Sequence, residues 1–180
     1  MFKMRSALLI LALMTYGCST DSEPGTVIET GFTIAYVDQD ENDLLDPAHP
    51  NAITEGNTDL YYLINGEMVK QYENHLDHPK KFSVVTEEKL FDRYFMHISP
   101  NTIEGLDTAI TYITYLEFEN NSLDTIKTQY RRPSPSSNSI FVTKIWYNGE
   151  LRWDVDDKSL LEHPNNEYVG RYFTVTRNLE

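Results

Sequence analysis

Residues 110–131, which read ITYITYLEFENNSLDTIKTQYR, decide the fold. From Ile110 to Phe118, apolar, aromatic and β-branched side chains recur at every second position. Successive side chains of a strand point to opposite faces, so this alternation predicts a long half-buried strand. Asn120-Asn121-Ser122 is typical of a turn, and residues 125–131 resume the alternation. The stretch therefore predicts an antiparallel hairpin.

The same period of two occurs on both sides of this hairpin. Further strands or hairpins are predicted at residues 32–36, 59–72, 94–98, 140–155 and 172–176. Two of the hairpins turn through Asn-Gly, which favours the type I′ turn. No stretch has a clear helical period, although residues 87–93 are compatible with one helical turn. About eight short strands separated by turns predict an all-β fold, an antiparallel β-sandwich of the immunoglobulin-like or a related kind.

Composition narrows the function classes. The chain has 180 residues, the length of one domain, with 15 Lys+Arg against 28 Asp+Glu and a formal net charge of −13. Nucleic acid is not expected as a partner, because phosphate binding needs a basic surface. A single cysteine excludes an internal disulfide. Stability must therefore come from the core, to which 12 Tyr, 8 Phe and 2 Trp contribute bulk.

The first residues read MFKMRSALLILALMTYGCST and predict an export signal. Two basic residues precede the apolar run 7–14, which is too short to span a hydrocarbon core about 30 Å thick and fits a signal-peptide core. Residues 15–18, Thr-Tyr-Gly-Cys, resemble the lipobox of bacterial lipoproteins, with Thr15 where Leu is usual. The resemblance implies that residues 1–17 are a signal peptide and that Cys18 carries the lipid, including palmitate-type chains.

The segment after Cys18 is acidic and lacks a periodic apolar pattern. Residues 18–30 are predicted to be a lipidated tether, and residues 31–180 a single β-sandwich domain. Asp21 and Glu23 resemble the export signal of Bacteroidetes surface lipoproteins. This resemblance implies a lipid-anchored outer-membrane protein on the cell surface, with the periplasmic face of that membrane as the alternative.

Three further segments are similar to small uncharacterised lipoproteins of Bacteroidetes. They are NDLLDP at 42–47, DTIK at 124–127 and IWYNG at 145–149. The resemblance covers most of the chain after Cys18 and supports the source group, the localisation and the β fold. It implies no activity, because that family carries none that can be transferred.

An acidic segment at residues 38–46 is the clearest candidate for a metal site. The candidate calcium ligands are Asp38, Asp40, Asn42 and Asp46, which match positions 1, 3, 5 and 9 of an EF-hand loop. However, Asp43 stands where that loop needs Gly, and His49 where it needs a bidentate Glu. A simpler calcium site is one interpretation. The other is a polar turn that places Leu44 and Leu45 in the core.

Motifs for catalysis are absent from the sequence. There is no GxSxG elbow, no HExxH or Cys-His set, and the eight glycines are scattered singly. We therefore expect no enzyme, but a non-catalytic binding or structural module with an envelope protein or glycan as partner. A glycan-directed hydrolase is one alternative, because only the fold sets the spacing of paired carboxylates. A calcium-stabilised adhesion module is another.

Two smaller features concern sugars. The segments 107–109 (DTA) and 124–126 (DTI) match the O-glycosylation pattern of Bacteroidetes, which makes Thr108 and Thr125 candidate acceptors. Tyr61, Tyr115 and Tyr147 are predicted to lie on exposed strand faces, where they either stack on sugars or pack against a covering layer.

Overall fold

The fold is described from a computed structural model for residues 27–102, 111–134, 137–162 and 170–178. These residues form eleven strands and one short 3₁₀ turn, Lys158–Leu160. The strands are β1 (Ile28–Glu29), β2 (Phe32–Val37), β3 (Thr58–Ile64), β4 (Glu67–Lys70), β5 (Phe82–Leu90), β6 (Arg93–Ile98), β7 (Thr111–Phe118), β8 (Leu123–Arg131), β9 (Ile140–Tyr147), β10 (Glu150–Asp154) and β11 (Tyr172–Thr176). No helix within the described ranges is both long enough and apolar enough to cross a membrane.

The strands form two sheets in a sandwich-like arrangement, which confirms the all-β prediction. The larger sheet has the order β1-β9-β8-β7-β3-β4, with β10 also paired to β9, and the smaller has the order β11-β2-β6-β5. The purely antiparallel prediction is wrong, because β1 pairs with β9 and β11 pairs with β2 in parallel. These pairs join segments far apart in the chain, so no hairpin imposes an antiparallel direction on them.

The hairpin predicted from residues 110–131 is confirmed as β7 and β8. Every second residue of β7 is buried, beginning with Tyr112 and ending with Phe118. The pairing runs from Thr111 opposite Gln129 to Glu117 opposite Leu123. The alternation seen in the sequence therefore corresponds to the two faces of the larger sheet.

One core fills the space between the sheets and includes the turn after β2. Leu44 and Leu45 are buried in it, as the turn interpretation of the acidic segment predicts. Burial of each leucine stabilises the fold by about 1.5–3 kcal/mol. The core also holds several aromatic rings in edge-to-face contact, among them Tyr36 with Phe118 and Tyr147 with Phe173. This core fixes the end of the sandwich at which the candidate site lies.

The helical turn suggested at residues 87–93 is wrong. Strand β5 extends to Leu90, and Phe91 and Asp92 turn the chain with φ of 52° and 63° into β6. Leu90 then pairs with Arg93 across the turn. Pairing with β6 thus overrides the weak helical preference of the segment, because tertiary contacts outweigh local propensity.

Candidate functional site

The candidate site lies where buried polar side chains join the two sheets. Tyr36 comes from β2 of the smaller sheet, whereas Asp124 and Tyr147 come from β8 and β9 of the larger one. The two tyrosine hydroxyls are 3.1 Å apart, and that of Tyr147 donates to Oδ2 of Asp124. Because a phenol has one hydrogen to donate, the hydroxyl of Tyr36 must be the donor to Tyr147. The hydrogen bonds therefore run in one direction, from the smaller sheet to Asp124.

Arg177, directly after β11, completes this connection. Its backbone N–H donates to the Val37 carbonyl at 2.8 Å, which extends the pairing with β2. Its guanidinium donates from Nη1 to Oδ2 of Asp124 and from Nη2 to Oγ of Ser122, the latter at 2.6 Å. The guanidinium carbon also lies 3.7 Å from the centre of the Phe118 ring. Arg177 thus reaches from the smaller sheet to the larger one.

Asp124 is saturated by these partners. Its Oδ1 accepts from Nδ2 of Asn148 at 2.9 Å, while its Oδ2 serves Tyr147 and Arg177. The side chains of Asp124 and Arg177 are 12% and 11% exposed, so water screens this ion pair little. We call the set of Tyr36, Asp124, Tyr147, Asn148 and Arg177 the cross-sheet network.

The two tyrosines of the cross-sheet network serve as hydrogen-bond donors and not as bases. Burial is the main cause that raises the pKa of Tyr36 above its ordinary value. Burial also raises the pKa of Tyr147, and the neighbouring Tyr36 and Asp124 raise it further. Both phenols therefore stay protonated at neutral pH and can donate the hydrogen bonds that join the two sheets.

A cleft of about 410 Å³ opens beside Arg177. Three segments line it: the loop before β3, the turn after β7 and the residues after β11. Its lining residues are Pro50, Asn51, Ala52, Ile53, Asn57, Phe118, Glu119, Asn120, Arg177 and Asn178. The volume lies within the range of small-molecule sites, about 300–1,000 Å³.

The loop before β3 owes its shape to Asn57. The side chain of Asn57 donates from Nδ2 to the Ala52 carbonyl at 2.9 Å and accepts at Oδ1 from the backbone N–H of Thr54 at 2.8 Å. These bonds close the loop over Ile53, which is buried in the core. The loop therefore presents a fixed apolar floor to the cleft.

Four polar side chains of the cleft keep hydrogen-bonding capacity. Within the described residues, the carboxamide of Asn51 and the carboxylate of Glu119 have no hydrogen-bond partner. Asn120 and Asn178 each use the side-chain oxygen in a bond to a neighbouring residue and leave the amide nitrogen open. All four residues are exposed. The cleft thus offers both donors and acceptors to a ligand.

Two of the predicted calcium ligands, Asp38 and Asp46, already accept hydrogen bonds from their own turn. Asp38 accepts from the backbone N–H groups of Asp40 and Asn42 at 2.8 and 2.9 Å, and from Nδ2 of Asn42 at 2.8 Å. The side-chain bond from Asn42 is the main cause that holds the pKa of Asp38 below its ordinary value. Oδ1 of Asp46 accepts from the Ala48 N–H at 2.9 Å. These bonds build a polar turn, and their acceptor oxygens point at N–H groups.

A second, more open hollow of about 500 Å³ lies next to this turn. Asn42 and Asp46 line it together with Asp43 and His49, whereas Asp38 and Asp40 do not. In the part of the chain that the structure describes, no three acidic, histidine or cysteine side chains form a group suited to a metal ion. Calcium binding stays a prediction without geometric support, and a calorimetric titration with Ca²⁺ tests it.

The remaining predicted sites fall in different places. Cys18 and Thr108 lie outside the described residues. Thr125 is half-buried in β8, and its backbone groups bond to Asn148. The prediction that Tyr147 is exposed is wrong, because it is 5% exposed and belongs to the cross-sheet network.

Tyr61 and Tyr115 stand directly opposite each other on the outer face of the larger sheet. Both are half-buried. The Tyr61 hydroxyl donates to Oε2 of Glu117 at 2.6 Å, and this bond is the main cause that raises the pKa of Tyr61 to about 12. The hydroxyl of Tyr61 is therefore already used in a bond within the sheet and is not open to a sugar.

Sequence reasoning missed the residues that build the cleft. Two segments singled out in the sequence, DTIK and IWYNG, do contain Asp124, Tyr147 and Asn148 of the cross-sheet network, but none of these three residues lines the cleft. Nothing local points to Arg177, because its bond to Asp124 joins residues 53 positions apart.

Comparison with protein-family models gives no match, and comparisons with curated proteins and with solved structures give none either.

Proposed function

We propose that the chain is a lipid-anchored, non-catalytic binding module whose ligand site is the cleft beside Arg177. One observation carries the proposal: exposed side chains with unused hydrogen-bonding groups surround a cleft beside Arg177, whose guanidinium is held in place by the buried cross-sheet network. Because Arg177 is already held by its bonds to Asp124 and Ser122, this side chain needs little further ordering when a ligand arrives, which suits binding.

The arrangement of carboxylates favours binding over the alternative of glycan hydrolysis. Within the described residues, Glu119 is the one carboxylate that lines the cleft. Asp124 lies behind Arg177 with both oxygens in hydrogen bonds. Glycoside hydrolysis commonly needs two carboxyl groups that face each other across the scissile bond. The cleft therefore holds a ligand without the acid pair that would cleave it.

Anchoring by Cys18 and display at the outer membrane complete the proposal. Support comes from the lipobox resemblance and from the acidic residues Asp21 and Glu23 behind it. In cells that process lipoproteins, radioactive palmitate should label the wild-type chain and leave Cys18→Ala unlabelled. A Cys18→Ala variant that still incorporates label and stays with the membrane would overturn the anchor.

The binding claim is tested on the full chain isolated from its native envelope. Partners captured by the wild type are compared by mass spectrometry with those of Asn51→Ala, which changes the cleft, and Asn74→Ala, an exposed asparagine outside it. We expect Asn51→Ala to lose a partner that Asn74→Ala retains. Equal capture by all three chains would contradict the cleft as the site, and new reducing ends released from envelope glycan by the wild type would establish the hydrolase.

A further inference from the structure

We propose that the cleft beside Arg177 binds a neutral, hydroxyl-rich ligand, a saccharide unit. The inference rests on the proposed function and names the class of ligand for the same site. It depends on the charge, the hydrogen-bonding types and the apolar floor of the lining.

The charges of the lining favour a neutral ligand. Glu119 and Arg177 are the charged residues among the described lining, and they have opposite signs. The guanidinium of Arg177 is already paired with Asp124, so it has little charge left to attract an anion. The formal net charge of −13 repels anions further. For a cation, the described lining offers a single carboxylate, that of the exposed Glu119, whose attraction water screens.

The polar groups of the lining favour hydroxyl groups. Asn51 presents a carboxamide that can donate from nitrogen and accept at oxygen, and Asn120 and Asn178 add open amide nitrogens as donors. A hydroxyl also donates and accepts, so a carboxamide rim can match several hydroxyls without placing like groups together. A wholly apolar ligand would strip water from these amides and leave them unpaired, at about 1–3 kcal/mol for each buried group.

The floor of the cleft suits the carbon-bound hydrogens of a sugar ring. Pro50, Ala52 and Ile53 supply aliphatic surface, and Phe118 adds an aromatic ring that stacks on the guanidinium of Arg177. An apolar floor under a rim of donors and acceptors complements a ring that has C–H groups on its faces and hydroxyls around its edge. Small-molecule sites commonly have this composition.

A peptide ligand fits the cleft less well. Extended peptides commonly gain affinity by main-chain hydrogen bonds to the edge of a sheet. Apart from Phe118 at the end of β7, the described lining comes from the loop before β3, the turn after β7 and the residues after β11, so the cleft does not run along the edge of a strand. The backbone N–H of Arg177 is already bonded to the Val37 carbonyl and is not open to a peptide. The recognition chemistry therefore comes from the side-chain amides.

The experiment uses the full-length protein in detergent and calorimetric titration with four sets of probes. They are neutral disaccharides built from glucose, mannose, galactose or N-acetylglucosamine; the same sugars carrying a uronic acid; putrescine as a cation; and uncharged tripeptides. We expect saturable binding of at least one neutral disaccharide and weaker or no binding of the other probes. No binding by any neutral disaccharide would overturn the inference, as would preference for a charged or peptide probe.

Three variants assign the binding to the cleft. Asn51→Ala should weaken binding about fivefold to tenfold, the loss of one hydrogen bond. Glu119→Gln, which keeps an acceptor and removes the charge, should stay within about threefold. Neither side chain has a hydrogen-bond partner among the described residues, so both variants should fold. Asn74→Ala is the control that leaves affinity unchanged, and a disaccharide bound equally by Asn51→Ala would contradict the site.

The outcomes separate this inference from the proposed function. Binding of a tripeptide that Asn51→Ala abolishes would sink the saccharide class and keep the binding module. Cleavage of a disaccharide that also binds at the cleft would sink the non-catalytic function and keep the saccharide class.

Discussion

The two Asn-Gly turns of the larger sheet share a backbone conformation and differ in everything around it. Asn65 and Gly66 have φ of 52° and 84°, and Asn148 and Gly149 have φ of 49° and 86°. The Asn65 side chain has no hydrogen-bond partner among the described residues. Asn148, in contrast, donates to Asp124 at 2.9 Å and accepts from the Thr125 N–H at 2.8 Å. A dipeptide thus determines the turn, whereas the fold around it determines whether the turn supports a site.

The strands that follow the two turns also differ, because one is exposed and the other contributes to the core. After the first turn, β4 is an exposed edge strand with Met68 and Val69 in water. After the second turn, β10 places Trp153 in the core. We call the first the edge hairpin (β3–β4) and the second the network hairpin (β9–β10). Of the two hairpins, only the network hairpin borders Asp124. Substitutions at its contacts with Asp124 should therefore lower the free energy of unfolding more than matching substitutions in the edge hairpin.

The largest difference should follow removal of a carboxylate. Asp124→Ala leaves Arg177 buried without a counter-ion and should lower the free energy of unfolding by about 3–5 kcal/mol. Asp59, in β3 of the edge hairpin, pairs with Lys70 and Lys80 in a more exposed place, so Asp59→Ala should cost about 1 kcal/mol or less. Urea unfolding of both variants measures the difference. Equal losses would show that the cross-sheet network adds no stability beyond a surface pair.

The asparagines of the two turns test the comparison at the same position. Asn148→Ala and Asn65→Ala both lose a residue that tolerates positive φ, but only Asn148→Ala also removes the partner of Asp124. We expect an extra loss of about 1–2 kcal/mol for Asn148→Ala. Asn148→Gly keeps the turn and removes the side chain. The free energy of unfolding of Asn148→Gly should therefore still fall by this extra amount relative to that of Asn65→Gly. The idea fails if the two glycine variants are equally stable.

The glycines of the turns should behave alike. An added Cβ meets no atom within 4 Å at either Gly66 or Gly149, so the cost is backbone strain at positive φ alone. Gly66→Ala and Gly149→Ala should each cost about 1–2 kcal/mol and differ by less than measurement error. Thermal unfolding provides the comparison. A much larger loss at Gly149 would mean that the turn itself, and not the Asn148 side chain, connects the hairpin to the network.

The smallest expected effect is on the loss of folding stability at low pH. The hydrogen bond from Lys144, 2.7 Å away, is the main cause that holds the pKa of Asp154 in the network hairpin below its ordinary value. Burial pushes the pKa of Asp59 upward, but its bonds to Lys70 and Lys80 lower it overall.

Both lowered pKa values have the same consequence for stability. The unfolded chain binds the proton first, with a pKa of about 3.9, so each pair stabilises the fold above that pH. The contribution is lost as the pH falls through the folded-state pKa. Asp154→Asn and Asp59→Asn should each flatten the loss of stability in urea below about pH 4, the former more because Asp154 is less exposed. Curves parallel to the wild type would contradict this assignment.

The difference between the hairpins also explains which parts of the fold can be predicted from the sequence. Alternation of period two predicts β7, β8 and both Asn-Gly hairpins, because those contacts are local. The parallel pairs β1–β9 and β2–β11 join distant segments, and no local pattern encodes them. The sequence pattern places Tyr147 on the wrong face for a similar reason. Its neighbours Ile145 and Trp146 are both apolar, and only the pairing of Tyr147 with Ile126 shows which face is inward.

The cleft was beyond sequence reasoning because its three lining segments meet only in the fold. Asn51, Glu119 and Asn178 come from loops, where no periodic pattern marks a shared location. The calcium hypothesis illustrates the converse. Asp38, Asp40 and Asn42 are close in sequence, and their closeness produces a self-bonded turn.

Chemical-shift mapping of the full-length protein with the neutral disaccharide that it binds locates the ligand on the fold. We expect amide shifts clustered at Asn51, Glu119 and Asn178, with the Asn65 turn unmoved. Shifts centred on the outer face of the larger sheet, around Tyr61 and Tyr115, would contradict this expectation, and so would the absence of any shift at the cleft.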